Sequence, residues 1–294
     1  MKPIYYKKYW QDTDSSFLVK YAEVPHTFDR FHFHNEYELM FNIQNRGTRF
    51  VGDSIRRFDN GDLVLVGPNT PHYWHSDDIF FKGDEKLMAK VILIQFSRDF
   101  LGSHFFDIPE MYAVKELLHK ATRGVQVLGN ERKIIGELLL ELPESKGWEQ
   151  LLKLIHILCL LSHSPKVNLL ASTRFNQSIW MKDESKISRV FNYIMHNYQN
   201  EISLDEVAAH SSMNKASFCR YFKKAANKTF SQALNEIRIG FACKEMIYSD
   251  LNISEIAFAC GYANVTYFNK VFKEIKKCTP LAYRSMHLNN KEGI

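Results

Sequence analysis

A segment that occurs twice limits this chain more than any other feature of its sequence. Ser203-Leu-Asp-Glu206-Val207-Ala208 returns 49 residues later as Asn252-Ile-Ser-Glu255-Ile256-Ala257, and Phe218-x3-Phe222-Lys223 returns 50 residues later as Phe268-x3-Phe272-Lys273. In each copy Ser203 or Asn252 can cap a helix start while Glu206 or Glu255, three residues on, reaches back to the cap's own amide. The short helix that begins there carries one apolar face, Leu204, Val207 and Ala208 or Ile253, Ile256 and Ala257, and its small alanine lets a second helix cross closely. Ser212 and Gly261 mark tight turns, and the second helices start near Asn214 and Asn264. Phe218, Tyr221 and Phe222 in one and Phe268, Val271, Phe272 and Ile275 in the other stand at core spacing. Both copies therefore read as helix-turn-helix pairs.

The opposite faces of those second helices hold Ala216, Cys219, Arg220 and Lys223 in the first copy and Thr266, Asn269, Lys270 and Lys273 in the second. Arg and Asn at exposed helix positions can bond base edges, and Lys can meet phosphates. The charge distribution agrees. Residues 1–185 carry 23 Lys and Arg against 24 Asp and Glu, whereas residues 186–294 carry 15 against 9, so the positive charge sits in the C-terminal third. A basic face needs no partner, and one such helix could belong to a helical adaptor. Two copies, each behind a capped short helix in a basic domain, favour double-stranded DNA.

The stretch ISEIAFACGYANVTYFNKVFKEIKKCTPLAYR, residues 253–284, resembles the signature of the AraC/XylS family of bacterial regulators, and the match extends over about 100 residues. The resemblance implies two helix-turn-helix subdomains joined by a long helix, here Phe230 to Tyr248, with recognition helices in successive major-groove faces. By position it implies Ala216, Cys219 and Arg220 in the first recognition helix and Val265, Thr266 and Lys270 in the second as base-facing, with Lys215, Lys223, Asn269 and Lys273 completing the DNA-binding set. Ala, Cys and Val are poor base readers, which leaves Arg220, Thr266 and Lys270 as the expected readers. It further implies transcription control at promoter DNA, more often activation, with RNA polymerase as a partner, no enzymatic activity and no cofactor. Where the family usually has Gly after the second recognition helix this chain has Lys277, and Asn227 takes the equivalent place in the first copy. Asn tolerates a left-handed cap, and Lys does so less readily.

The N-terminal half has a different grammar. From Phe17 to about Phe96, short apolar runs such as Tyr37 to Ile43, Leu63 to Val66 and Val91 to Ile94 alternate with turn signals at Gly47, Gly52-Asp53, Asn60-Gly61 and Gly67-Pro68. Many short strands at this spacing indicate a small all-β sandwich or barrel. After Pro109 the period becomes helical, and from Ser164 to Asp183 it dissolves. The expected organisation is a ligand-sensing β-barrel over 1–108, a helical dimerisation region over 109–163, a linker over 164–185 and an all-α DNA-binding domain over 186–290.

His32-Phe-His34-x3-Glu38, followed by Gly61-Asp62-x4-Gly67-Pro68-x3-His72, resembles the two motifs of the cupin barrel. In metal-binding cupins the equivalent His32, His34, Glu38 and His72 would hold one divalent ion. The spacing departs from the enzymes' pattern, and sensor domains of AraC-type regulators keep these residues without a metal. His32, His34, Glu38, His72 and Trp74 are thus expected to line a polar pocket for a small-molecule effector, or in part only to satisfy hydrogen bonds at the barrel mouth. Resemblance to the family points to a sugar or related nutrient. The helices over 109–163 either pack on their own domain or pair two subunits, and a homodimer is the expectation.

Length and composition bound the alternatives. A chain of 294 residues accommodates two cores. The opening residues mix aromatics with charges, which reads as no signal peptide, and the longest apolar stretch, Leu151 to Ser162, is interrupted by Lys153 and His156 and too short for a bilayer. Five scattered cysteines with no C-x-x-C pair argue against a disulfide framework and a zinc ribbon, so a soluble cytoplasmic protein that does not enter membranes is expected. The competing functions are a metal-binding cupin enzyme or metal-dependent sensor tethered to DNA, and an architectural protein without a ligand.

Overall fold

The computed structural model describes residues 15–27, 32–81, 87–173, 175, 187, 189–191 and 193–288. The opening residues 1–14, and residues 174 and 176–185 of the expected linker, lie outside the described residues. The chain forms two compact units that divide between residues 182 and 183.

Among the described residues the first unit is built on nine strands: β1 Phe17–Val24, β2 Tyr37–Gln44, β3 Gly47–Val51, β4 Ser54–Phe58, β5 Asp62–Val66, β6 His72–Ser76, β7 Ala89–Phe96, β8 Val125–Val127 and β9 Val167–Leu169. They form a six-stranded sheet in the order β1-β7-β2-β5-β8-β9 and a three-stranded sheet in the order β4-β3-β6. Every pairing is antiparallel. Where the sequence left sandwich and barrel open and the cupin resemblance favoured the barrel, the described strands form two facing sheets. The reason lies in the pairing: β3 takes β4 and β6 as its two neighbours, so the smaller sheet is complete without a ladder to the larger one.

Strand alternation sorts the side chains of β2 to two cores. Tyr37, Leu39 and Phe41 point outward with Leu63, Leu65, Ile92, Ile94 and Phe96. Three helices cover that face: α1 Tyr112–Ala121, α2 Glu131–Glu141 and α3 Gly147–Ser162, through Leu117, Leu118, Ile135, Leu139, Leu154, Ile157 and Leu158. Gly136 lets α2 close on the sheet, since a Cβ there would meet the Phe41 ring at 2.8 Å. Met40 points the other way and joins Val51, Phe58, Val64, Val66, Trp74 and Val91 between the sheets. A sheet buried on both faces explains why β5, DLVLV, has no exposed residue.

Two strands fall where helices and linker were expected. β8 lies within 109–163 and β9 within 164–185, and they extend the large sheet from β5. Three residues are too few to establish a period, which is why neither stood out. Their anchoring is specific: Arg123 donates through Nε and Nη2 to the Ala171 carbonyl at 3.0 and 2.8 Å, and Asp53 accepts from the Ser172 amide and hydroxyl at 2.8 and 2.6 Å.

The second unit is helical. Residues 193–197 are helical, followed by α4 Leu204–His210, α5 Lys215–Ala226, α6 Phe230–Tyr248, α7 Ile253–Ala259, α8 Val265–Lys276 and α9 Pro280–Leu288. The expected capping boxes are formed at Ser203 with Glu206 and at Asn252 with Glu255, and a third, Thr229 with Gln232, starts the long helix α6. No helix among the described residues is long and apolar enough to cross a membrane.

Candidate DNA interface and a buried histidine–carboxylate cluster

The two helix-turn-helix units are α4–α5 and α7–α8. Ser212 and Gly261 sit in their turns with φ of 57° and 80°. Asn214 accepts from the Ser217 amide and Asn264 from the Thr266 and Tyr267 amides, so both second helices begin on an Asn cap. α5 buries Phe218, Phe222, Ala225 and Ala226, and α8 buries Phe268, Val271 and Phe272. Their outer faces are the ones read from the sequence. Lys215, Ala216, Cys219, Arg220 and Lys223 are exposed on α5, and Thr266, Asn269, Lys270 and Lys273 on α8, while Val265 is half-buried. Lys215 is shared with Asp205 of α4 at 3.1 Å. Both recognition helices end left-handed, at Asn227 with φ 54° and Lys277 with φ 62°.

One buried arginine holds the segment that precedes the first helix-turn-helix and the turn of the second to the long helix between them. Arg238, in the middle of α6, donates through Nε to the Tyr198 carbonyl and through Nη2 to the Asn200 carbonyl, both at 2.7 Å, so it satisfies the chain that leaves the helical residues 193–197. Its guanidinium also lies 5.5 Å from the centre of the Tyr262 ring, just after the turn of the second helix-turn-helix. Tyr262 donates to Asn235 Oδ1 at 3.1 Å, and Asn235 Nδ2 donates to the Tyr267 hydroxyl on α8 at 3.2 Å. Gly261 seals the contact: a Cβ there would stand 2.4 Å from the Tyr198 carbonyl oxygen. Sequence reading missed Arg238, Asn235 and Tyr267, although an Arg among the apolar positions of α6 was a usable signal.

In the first unit, β2, β6 and the residues before β2 bring His32, His34, Glu38 and His72 together, with one ligand atom from each within 4.8 Å of all the others. A backbone bridge between His32 and His72 holds the two chain segments in register. Glu38 Oε2 accepts from Gln95 Nε2 at 2.9 Å and lies 2.9 Å from His34 Nε2, while Oε1 faces His72 Nε2 at 3.5 Å. His34, Glu38 and His72 are buried, and His32 is partly exposed. Burial is the largest influence on Glu38 and opposes its charge, yet the imidazoles of His72 and His34 together outweigh it and hold the carboxyl well below its ordinary range. Burial likewise works against charge on His34, and the hydrogen bond and charge of Glu38 outweigh it, raising that imidazole.

His72 Nδ1 lies 2.7 Å from the Thr70 carbonyl and must therefore carry the proton, which leaves Nε2 as a lone pair facing Glu38 when the ring is neutral. Nε2 has no hydrogen-bond partner. Three imidazoles and a carboxylate at this separation fit a divalent ion, and a backbone carbonyl orienting a ligating ring is the usual support for one. They equally fit a polar ligand group. Trp74 lies two residues along the same strand face, its ring centre 5.6 Å from that of His72. Gln95, unpredicted, is directly opposite Glu38 in the β2–β7 register, where the lone polar residue of a VILIQF run belongs.

A family model described as a helix-turn-helix domain matches residues 207–286. The C-terminal domain is an AraC-type helix-turn-helix domain. Relatives include the HTH-type transcriptional regulator YdeC of Bacillus subtilis, 26% identical over 113 residues that cover 38% of each chain. The HTH-type transcriptional activator RhaR of Mannheimia succiniciproducens is 23% identical over 86% of each chain. The xylose operon regulatory protein of Haemophilus influenzae is 31% identical over 33% of this chain and 25% of its own. Two of these three matches thus span little more than a third, or less, of the relative's length. Among solved structures, a ligand-free ToxT variant of Vibrio cholerae aligns over 93% of this chain and 98% of its own with TM-score 0.36 and 14% identity. These relatives are named as regulators, not as enzymes.

Proposed function

We propose that this protein is a sequence-specific transcription regulator, an activator, that reads promoter DNA with α5 and α8 and is controlled by a small-molecule effector in the N-terminal sandwich. The observation that carries the DNA reading is the pair of exposed, basic outer faces on two Asn-capped helices of an AraC-type domain. Arg220, Thr266 and Lys270 contact base edges; Lys215, Lys223, Asn269 and Lys273 contact the backbone; Ala216, Cys219 and Val265 add shape. In gel-shift titrations on a selected site, Arg220→Ala costs about 1–3 kcal/mol on the preferred sequence and relaxes preference at one base pair. Lys273→Ala weakens preferred and random DNA alike and lowers the salt slope by about 0.9. Equal losses on both DNAs for Arg220→Ala would remove it from the base readers.

The name of one relative, the xylose operon regulatory protein, favours a sugar or related nutrient as effector, and His32, His34, Glu38, His72 and Trp74 form one polar end of its site. The effector acts by binding two arrangements of the protein with different affinity, and the response cannot exceed that difference. The protein works as a homodimer paired through α2 and α3 and contacts RNA polymerase at the promoter. The unpartnered His72 Nε2 within the four-residue cluster favours a second reading, a metal-dependent sensor, and the metal content of the purified chain separates the two.

A further inference from the structure

The buried side-chain atoms that lack a hydrogen-bond partner, among the described residues, are Asn42 Nδ2, Arg49 Nη2, Asn69 Oδ1, His72 Nε2 and Trp74 Nε1. Four of these five belong to side chains that the strand register turns into the space between the two sheets. His72 belongs to the cluster already described. The other three form a second group that begins beside that cluster, at Trp74, whose ring lies 5.6 Å from that of His72. Arg49 of β3 is directly opposite Trp74 of β6, and Asn42 of β2 is directly opposite Asp62 of β5. Arg49 Nη1 bonds Asp62 Oδ2 across the gap between the sheets, which joins the two pairs into one group.

The chemistry of that group is one-sided. Asp62 Oδ1 accepts from Gln126 Nε2 at 2.8 Å, so both carboxylate oxygens are engaged. Asn42 Oδ1 accepts from Asn45 Nδ2 at 3.1 Å, and Asn45 Oδ1 accepts from Ser76 Oγ at 3.0 Å. In this orientation the Asn42 oxygen is committed to Asn45 and its nitrogen has no partner. The orphans are therefore all donors: one guanidinium, one amide and one indole N–H, on residues 2%, 0% and 3% exposed. Leaving a buried donor unpaired is unfavourable, and three in one place point to an acceptor that the protein itself does not supply.

We propose that the sandwich interior receives the effector and that Arg49, Asn42 and Trp74 bind its carboxylate. The inference rests on the reading of this domain as the effector domain and narrows its ligand class from sugars at large to acids. A carboxylate offers about four acceptor sites and no proton, whereas a hydroxyl brings a donor that needs an acceptor of its own. Arg49 neutralises Asp62, the negative charge within this group, and its free Nη2 gives the charge-assisted bond. Met40, Val64 and Val91 supply apolar wall, and the histidine–carboxylate cluster beside Trp74 is left to the ligand's hydroxyls.

The test is isothermal titration calorimetry on the full chain with uronates, aldonates and short mono- and dicarboxylates beside the neutral aldoses. Trp74→Phe and Asn42→Leu serve as variants, the first keeping an aromatic ring while removing the N–H. The expected result is saturable binding of an acid that weakens about 10-fold or more in each variant, with the free Trp74→Phe protein melting no lower than wild type. Binding of a neutral aldose with the acids silent overturns the carboxylate assignment and leaves the effector reading standing. Acid binding unchanged in both variants places the ligand elsewhere and overturns the inference. Silence across the whole panel also overturns it, while DNA binding by α5 and α8 is unaffected by that result.

Discussion

Lys277 holds a conformation that its side chain disfavours. It ends α8 at φ 62°, ψ 12°, and its amide donates to the Lys273 carbonyl at 3.0 Å, so the helix is properly closed at the expense of a Cβ crowded in the left-handed region. The side chain is exposed, and removing it deletes no buried contact. Lys277→Gly is expected to raise stability by about 0.5–1 kcal/mol, the left-handed penalty less the extra freedom of glycine in the unfolded chain, as read by urea unfolding. Lys277→Ala keeps the Cβ and gives no gain. The sequence already marked this position, because a helix end that wants Gly or Asn shows up as a mismatch. Residues whose role depends on register across strands were far less legible. His32, His34, Glu38 and His72 could be grouped through a known motif, but Gln95, Arg49 and Asn42 join the site only once the strand partners are known. Arg49 carries no mark in the sequence of its burial against Asp62.

At the scale of elements, the helices announced their starts. Ser203 accepts from the Glu206 amide at 3.2 Å and Glu206 accepts from the Ser203 amide at 2.9 Å, as the Ser-x-x-Glu spacing requires. Ser203→Ala is expected to lower stability by about 1 kcal/mol, and Ser203→Asp to retain most of it, in the same unfolding measurement. The bond from the Ser203 amide holds the Glu206 carboxyl below its ordinary value, so this half of the cap is present at neutral pH and is lost as pH falls through that lowered value. The Thr229 box at the start of α6 carries the same kind of signal, as Thr-x-x-Gln. β8 and β9 left almost no signal. Glycines at positive φ, Gly124 and Gly129, bracket β8, but a turn residue tells where a chain bends and not what it pairs with. Their place at the edge of the large sheet is fixed by β5, some 60 residues upstream of β8, a relation that no local window contains.

For the whole molecule, the helices over the sheet do two jobs. Their inner faces complete the core, and their outer faces leave large apolar groups in solvent: Trp148 at 72% and Leu152 at 56% exposure one turn apart on α3, with Ile134 and Leu140 on α2. The proposed dimer pairs through these residues. Leu152→Glu is expected to convert the dimer to monomer in sedimentation experiments while leaving the thermal midpoint of the fold nearly unchanged. Loss of the second copy should weaken binding to a two-half-site DNA by about 100-fold or more, since the second contact no longer profits from the first. The clamp at Arg238 has a consequence of another kind. With Tyr198, Asn200 and Tyr262 all held to the middle of α6, the two proposed reading helices are expected to move as one piece. One base pair inserted between the segments they read turns one segment by about 34–36° around the duplex axis. A domain fixed at this point can follow only by twisting the DNA or breaking the clamp, so an operator for this protein is defined by helical phase as much as by its letters.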